Sequence, residues 1–125
     1  MTEEKLPRVS VLARQQISQH IDRYWMTRLT PPEFKVVRLV FDRTFAWGNW
    51  HEEISIRELV RGRRSYTDGT GLSQRTVFRC LQSLKDRAVL LAEARAGCRT
   101  TYALALDWND NEERPIKPIE IDWGG

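Results

Sequence analysis

Apolar side chains recur every three or four positions over most of the first ninety residues, a period that is typical of amphipathic helices. Over residues 9–29 this pattern predicts a long N-terminal helix, although several glutamines make its outer face polar. Its apolar positions are Val9, Leu12, Ile17, Ile21 and Trp25. Such a helix either closes the core of one chain or pairs with a second copy in a homodimer, and the pattern leaves both arrangements open.

Two capping boxes mark the next two helices. Thr30 and Glu33 form the first box, which predicts a helix through the stretch "FKVVRLVFDRTFAW". Ser55 and Glu58 form the second box and open a short helix, which Gly62 ends. The chain therefore reaches its central loop after three predicted helices.

A fourth helix and a hairpin follow the loop. Ser73 is a suitable N-cap for a helix over about residues 74–87, whose inner stripe is Val77, Cys80, Leu81 and Leu84. Residues 89–94 and 100–106 are apolar or β-branched runs, and residues 95–97 can supply the turn between them. The sequence thus predicts a domain over residues 1–106 and a separate tail over residues 107–125.

The glycine-bearing stretch "GRRSYTDGTGLSQRTVFRCL" admits two hypotheses: a phosphate-binding loop, or the turn and recognition helix of a helix-turn-helix. A P-loop needs the pattern GxxxxGK[ST] after a buried strand. No lysine follows Gly62, Gly69 or Gly71, and a short polar helix precedes the loop instead of a strand. The dinucleotide pattern GxGxxG fails because position 74 is glutamine. The helix-turn-helix hypothesis is therefore favoured.

The residues of this stretch match the chemistry of base recognition. Arginine can form two hydrogen bonds with guanine and glutamine can form two with adenine, and serine and threonine reach phosphates or bases. The candidate DNA-binding residues lie on the fourth helix, in the loop and in the hairpin: Ser73, Gln74, Arg75, Thr76 and Arg79, then Arg63 and Arg64, then Arg95 and Arg99.

The charge distribution supports a polyanionic partner. The chain carries a net charge of +3, but residues 107–125 hold six acids and two bases, hence −4, which leaves +7 on the remainder. Residues 57–99 contain ten bases and four acids. A basic body of this kind favours nucleic acid.

Four motifs resemble the winged-helix N-terminal domain of phage replication protein O and its relatives in prophages and mobile elements. They are Arg43-Thr44-Phe45-Ala46-Trp47, Ile54-Ser55, Gly71-Leu72-Ser73 and Arg75-Thr76-Val77, and the resemblance covers about residues 30–92. It implies a mainly α fold with a small β-hairpin wing, that is, a winged helix-turn-helix preceded by a long N-terminal helix.

The chain departs from that family in three respects. Ala46 stands where the family prefers glycine, and residues 61–68 lengthen the turn. Only the short acidic segment follows the hairpin, in place of the family's helicase-recruiting region. The resemblance therefore implies duplex binding without helicase loading.

The expected function is that of a sequence-specific double-stranded DNA-binding protein of a phage, plasmid or mobile element. Replication initiation, transcriptional control and maintenance are left open, as is RNA binding. The alternative is a winged-helix protein-interaction module, such as an adaptor subunit or an inhibitor of a host complex, because a fold alone does not decide function.

The tail carries a separate expectation. Trp108 and Trp123 lie near the two ends of an acidic, proline-containing segment, which is typical of a short docking motif for a protein partner. A disordered end with chance aromatic residues is the competing interpretation, and the acids could also screen the basic surface.

No pattern in the sequence predicts catalysis, a metal site or a cofactor. His51 begins "HEE", but the HExxH motif would need histidine where Ser55 stands. The two cysteines, Cys80 and Cys98, have no CxxC spacing and are expected to be reduced thiols. A charged N-terminus and the lack of a long apolar run predict a cytoplasmic protein without a membrane span.

Overall fold

A computed structural model describes residues 8–65, 67–94 and 99–122 of the chain. Within these residues the chain forms four α-helices and one small three-stranded antiparallel sheet. The helices are α1 (Val11–His20), α2 (Pro31–Arg43), α3 (Ile56–Arg61) and α4 (Gln74–Asp86). The strands are β1 (Glu52–Glu53), β2 (Leu90–Glu93) and β3 (Thr101–Leu104). No helix in the described ranges is long and apolar enough to cross a membrane.

The N-terminal helical segment is continuous but changes type along its length. After α1 the chain continues as a π-helical turn, Ile21–Trp25, and a 3-10 turn, Met26–Arg28. The fully buried stripe is Ala13, Ile17, Ile21 and Trp25, one residue in every four. Leu12 was expected on this stripe, but it is 47% exposed because Ala13 takes the inward position.

Both predicted capping boxes are present, but α2 ends earlier than predicted. The hydroxyl of Thr30 accepts from the amide of Glu33 at 3.3 Å, and the Glu33 carboxylate accepts from the amide of Thr30 at 2.8 Å. At Thr44 the backbone leaves the helical region, and a short 3-10 turn, Phe45–Trp47, follows before Gly48 takes a left-handed conformation. Phe45 and Trp47 therefore do not continue along the axis of α2.

Helix α4 forms as predicted and contributes its apolar stripe to the core. The Ser73 hydroxyl accepts from the amide of Thr76 at 3.1 Å, which caps the helix. The buried side chains are Val77, Cys80, Leu81 and Leu84, and they pack against α2, α3 and β2. Cys80 is a free thiol, and burial raises its pKa, so it is a poor nucleophile.

The predicted hairpin is formed by β2 and β3, and a third strand, not predicted, completes the sheet. The strand order is β1-β3-β2, with Leu91 opposite Ala103 and Glu52 opposite Tyr102. The short β1 has no β-branched or alternating pattern, which is why the sequence did not predict it. The turn predicted at residues 95–97 lies outside the described residues.

The segment after β3 packs on the helices. Trp108 is only 6% exposed and stacks edge-on against Trp25, with the ring centroids 5.3 Å apart. Ile116 is buried as well, and the backbone of Asp122 bonds the side chains of Ser10 and Gln16. Trp108 is thus a core residue and not an exposed anchor for a partner. Trp123 lies outside the described residues.

A network of charges holds this segment against α2 and α4. Arg87 donates to Glu33 at 3.4 Å and to Asp110 at 2.6 Å, and Ser83 donates to Glu33 at 2.7 Å. Burial opposes ionisation of Glu33, but the bonds from Ser83 and Thr30 and the charge of Arg87 together lower the pKa of Glu33 below the ordinary glutamate value.

We expect the free energy of unfolding to fall as the pH drops below about 4.3, the ordinary glutamate pKa. Glu33 binds its proton less readily in the folded state, so its carboxylate contributes fully to the free energy of unfolding above that pH. This contribution is lost as the pH falls through the lower pKa of the folded state. Urea unfolding followed by circular dichroism over a pH series measures the effect. Glu33→Gln should reduce this dependence of the free energy of unfolding on pH, whereas the exposed control Glu112→Gln should not. Equal profiles for wild type and Glu33→Gln would contradict this expectation.

Candidate nucleic-acid interface

Two of the predicted contact residues, Ser73 and Thr76, stabilise the first turn of α4. The Ser73 hydroxyl caps the helix and also donates to the hydroxyl of Thr76 at 2.9 Å. Thr76 is only partly exposed. These two hydroxyls therefore fix where α4 begins, and the outward side chains near them are better placed for contact with a ligand.

The outward face of α4 is polar and basic around one aromatic ring. Gln74, Arg75 and Arg79 are exposed, and Arg75 and Arg79 lie on the face opposite the buried stripe. The aromatic ring is that of Phe78, which is 51% exposed. No carboxylate among the described residues pairs with Arg75 or Arg79. The face thus offers guanidinium groups without an internal counter-charge.

The short helix α3 adds two arginines that the sequence analysis missed. Arg57 and Arg61 are exposed and line a concavity of about 470 Å³ together with Gln74, the first residue of α4. Their spacing of four residues, opposite the buried Leu59, was the signal that could have identified them. Gln74 thus places the arginines of α3 beside the first turn of α4.

The loop between α3 and α4 brings further arginines to the same surface. Arg63 and Arg64 are exposed and line a second concavity, of about 560 Å³, together with Arg57 and Arg61. Asp68 is the one acid among the described residues of this lining. The predicted loop arginines therefore lie beside α3.

Arg99, predicted to contact DNA from the hairpin, has a carboxylate partner. It donates to Glu58 at 3.4 Å, and Glu58 also accepts from Arg43 at 3.1 Å. Burial opposes ionisation of Glu58, but the bonds from Ser55 and Arg43 and the charges of Arg43 and Arg99 lower its pKa. Arg99 thus joins the hairpin to the start of α3. Arg95 lies outside the described residues.

Two groups of arginines differ in their partners. Some are paired with carboxylates within the fold: Arg28, Arg38, Arg43, Arg87 and Arg99. Five others on α3, the loop and α4 are exposed and have no carboxylate partner in the described part of the chain. We call these five the arginine surface: Arg57, Arg61, Arg64, Arg75 and Arg79.

The described residues contain no group of three His, Cys, Asp or Glu side chains that could hold a metal ion. His20 is buried against Tyr24 and Trp25, and burial lowers its pKa, so it is neutral near pH 7. Its position beside two aromatic rings is that of a core residue.

Comparison with known proteins adds no family assignment. The resemblance to phage replication protein O therefore rests on the four sequence motifs alone. No protein-family model, curated protein or solved structure matches this chain.

Proposed function

We propose that this chain binds double-stranded DNA as a winged helix-turn-helix protein. In this proposal α3 and α4 form the helix-turn-helix, α4 enters the major groove, and the hairpin of β2 and β3 is the wing. The observation that carries the proposal is the arginine surface, which has no carboxylate partner among the described residues, while other arginines of the fold are paired. A polyanion supplies the missing charge.

The dimensions and chemistry of α4 support this role. Its 13 residues make a rod of about 20 Å, and the major groove admits an α-helix. Gln74 and Arg75 stand at its N-terminal end, where recognition helices contact base edges, and Arg79 lies one turn further on. Arg75 suits guanine and Gln74 suits adenine, which would give sequence preference.

The cellular role in this proposal follows from the resemblance. A phage, plasmid or mobile-element protein that acts at an origin or an operator would need the same duplex contacts. The alternative, a protein-interaction module, has less support. Such a module would use the N-terminal helix and the tail as its surfaces, and these two segments contact each other, because the backbone of Asp122 bonds the side chains of Ser10 and Gln16.

We expect Arg75→Ala/Arg79→Ala to weaken binding to a random-sequence duplex of about 25 base pairs at least tenfold. Each arginine that contacts a phosphate adds about 0.9 to the slope of log K against log salt, so the slope should flatten by up to ~2. Fluorescence anisotropy over a salt series measures both quantities, and circular dichroism confirms folding.

The matched control is Arg23→Ala/Arg114→Ala, which removes the same charge from exposed positions outside the arginine surface. It should keep the wild-type slope. Absence of wild-type binding at low salt would overturn the proposal, as would equal losses in the two double variants. Lost affinity with an unchanged slope would assign Arg75 and Arg79 to bases instead of phosphates.

A further inference from the structure

The loop between α3 and α4 is fixed to α3 by backbone hydrogen bonds. The amides of Gly62, Thr70 and Gly71 donate to the carbonyls of Glu58, Leu59 and Val60 at 2.8, 3.0 and 3.2 Å. The last carbonyls of a helix otherwise lack partners within it. The loop therefore terminates α3 and takes its position from that helix.

The loop is also closed on itself. Arg63 and Thr67 exchange two backbone hydrogen bonds, at 3.0 and 3.1 Å, which close the loop into a small ring. Gly62 and Gly69 flank this ring at positive φ angles of 82° and 78°. A Cβ atom at Gly62 would overlap the carbonyl oxygen of Thr67, and one at Gly69 would overlap the amide nitrogen of Gly62. Both positions thus require glycine.

This ring holds a positive charge beside α3. The concavity of about 560 Å³ is lined by Arg63 and Arg64 from the ring and by Arg57 and Arg61 from the helix, and Asp68 is the one acid among the described lining residues. Arg57, Arg61 and Arg64 have no carboxylate partner in the described residues. The excess of positive charge around one concavity favours an anion there.

We propose that Arg57, Arg61 and Arg64 form a clamp for the phosphodiester backbone of duplex DNA, beside the segment that α4 reads. This inference rests on the proposed function. The guanidinium fork bonds two phosphate oxygens at once, and a ring fixed to α3 presents it with little loss of conformational freedom. The clamp contacts phosphates only, so it sets affinity and register on the duplex and leaves base preference to α4.

The test compares wild type with Arg57→Gln/Arg61→Gln/Arg64→Gln and with the corresponding triple lysine variant. All three positions are exposed, so folding should persist, and circular dichroism checks it. Each protein is titrated over a salt series with the random duplex of about 25 base pairs and with a duplex selected by wild type from a random pool. The glutamine variant should flatten the salt slope by about 2–3 and lose on the order of 100-fold in affinity at 0.1 M salt.

Both duplexes should be affected equally, because the clamp carries no sequence information. The lysine variant should recover most of the slope, since it restores the charges. A glutamine variant with the wild-type slope would overturn the clamp while leaving DNA binding by α4 intact. A larger loss for the selected duplex would also overturn it, because that result assigns these arginines to bases. If wild type binds neither duplex, the proposed function itself fails and the clamp with it.

Discussion

Replacing Trp108 with alanine is expected to lower the free energy of unfolding by about 3–5 kcal/mol. The side chain is 6% exposed and packs edge-on against Trp25. The guanidinium of Arg87 also lies 5.2 Å from the centre of the Trp108 ring, and Arg87 bonds Glu33 and Asp110. Truncation would therefore leave a cavity in the core and loosen the charge network. Urea unfolding followed by circular dichroism measures the loss.

Trp47→Ala is the matched control, because Trp47 is 52% exposed. Its cost should be about 1 kcal/mol or less. If the loss for Trp108→Ala were as small as that for Trp47→Ala, the expectation would be contradicted. The segment after β3 would then add little to the stability of the fold. A large loss for Trp108→Ala alone would establish that residues 107–122 belong to the folded unit.

The burial of Trp108 also shows what local sequence patterns leave out. The helices and their caps were predicted well because a capping box or an apolar period lies within a few residues, as in α4 after Ser73. Trp108 stands in an acidic, proline-containing stretch, which indicates a tail when taken alone. Its partner Trp25 lies on the N-terminal helical segment, so only the tertiary structure brings the two rings together.

Local sequence patterns also predicted the candidate site only in part. The sequence identified Arg75 and Arg79 because they lie on the polar face of a strongly amphipathic helix. It could not distinguish them from Arg99, whose carboxylate partner Glu58 comes from a distant element. It also missed Arg57, whose spacing of four residues from Arg61, opposite the buried Leu59, was the signal for an outward face of this short helix.

Glu58 is the residue whose loss should disturb the site and the fold together. We expect Glu58→Ala to lower the free energy of unfolding by about 3–5 kcal/mol, the usual result of removing one partner of a buried ion pair. The side chains of Arg43 and Glu58 are only 7% and 12% exposed. Without the carboxylate, Arg43 would keep a buried charge, α3 would lose its capping box and Arg99 would lose its partner. Urea unfolding measures the loss.

Three further variants separate these contributions. Glu58→Gln can still accept from the amide of Ser55, so it keeps the cap but removes the charge, and it should remain strongly destabilised. Arg43→Met/Glu58→Gln should recover much of the stability, because no unpaired charge is then buried. Arg99→Ala should cost about 1 kcal/mol or less, since the Arg99 side chain is 58% exposed. If Glu58→Gln were as stable as wild type, the cap alone would explain the role of Glu58. The pairing of Arg43 would then contribute nothing to the free energy of unfolding.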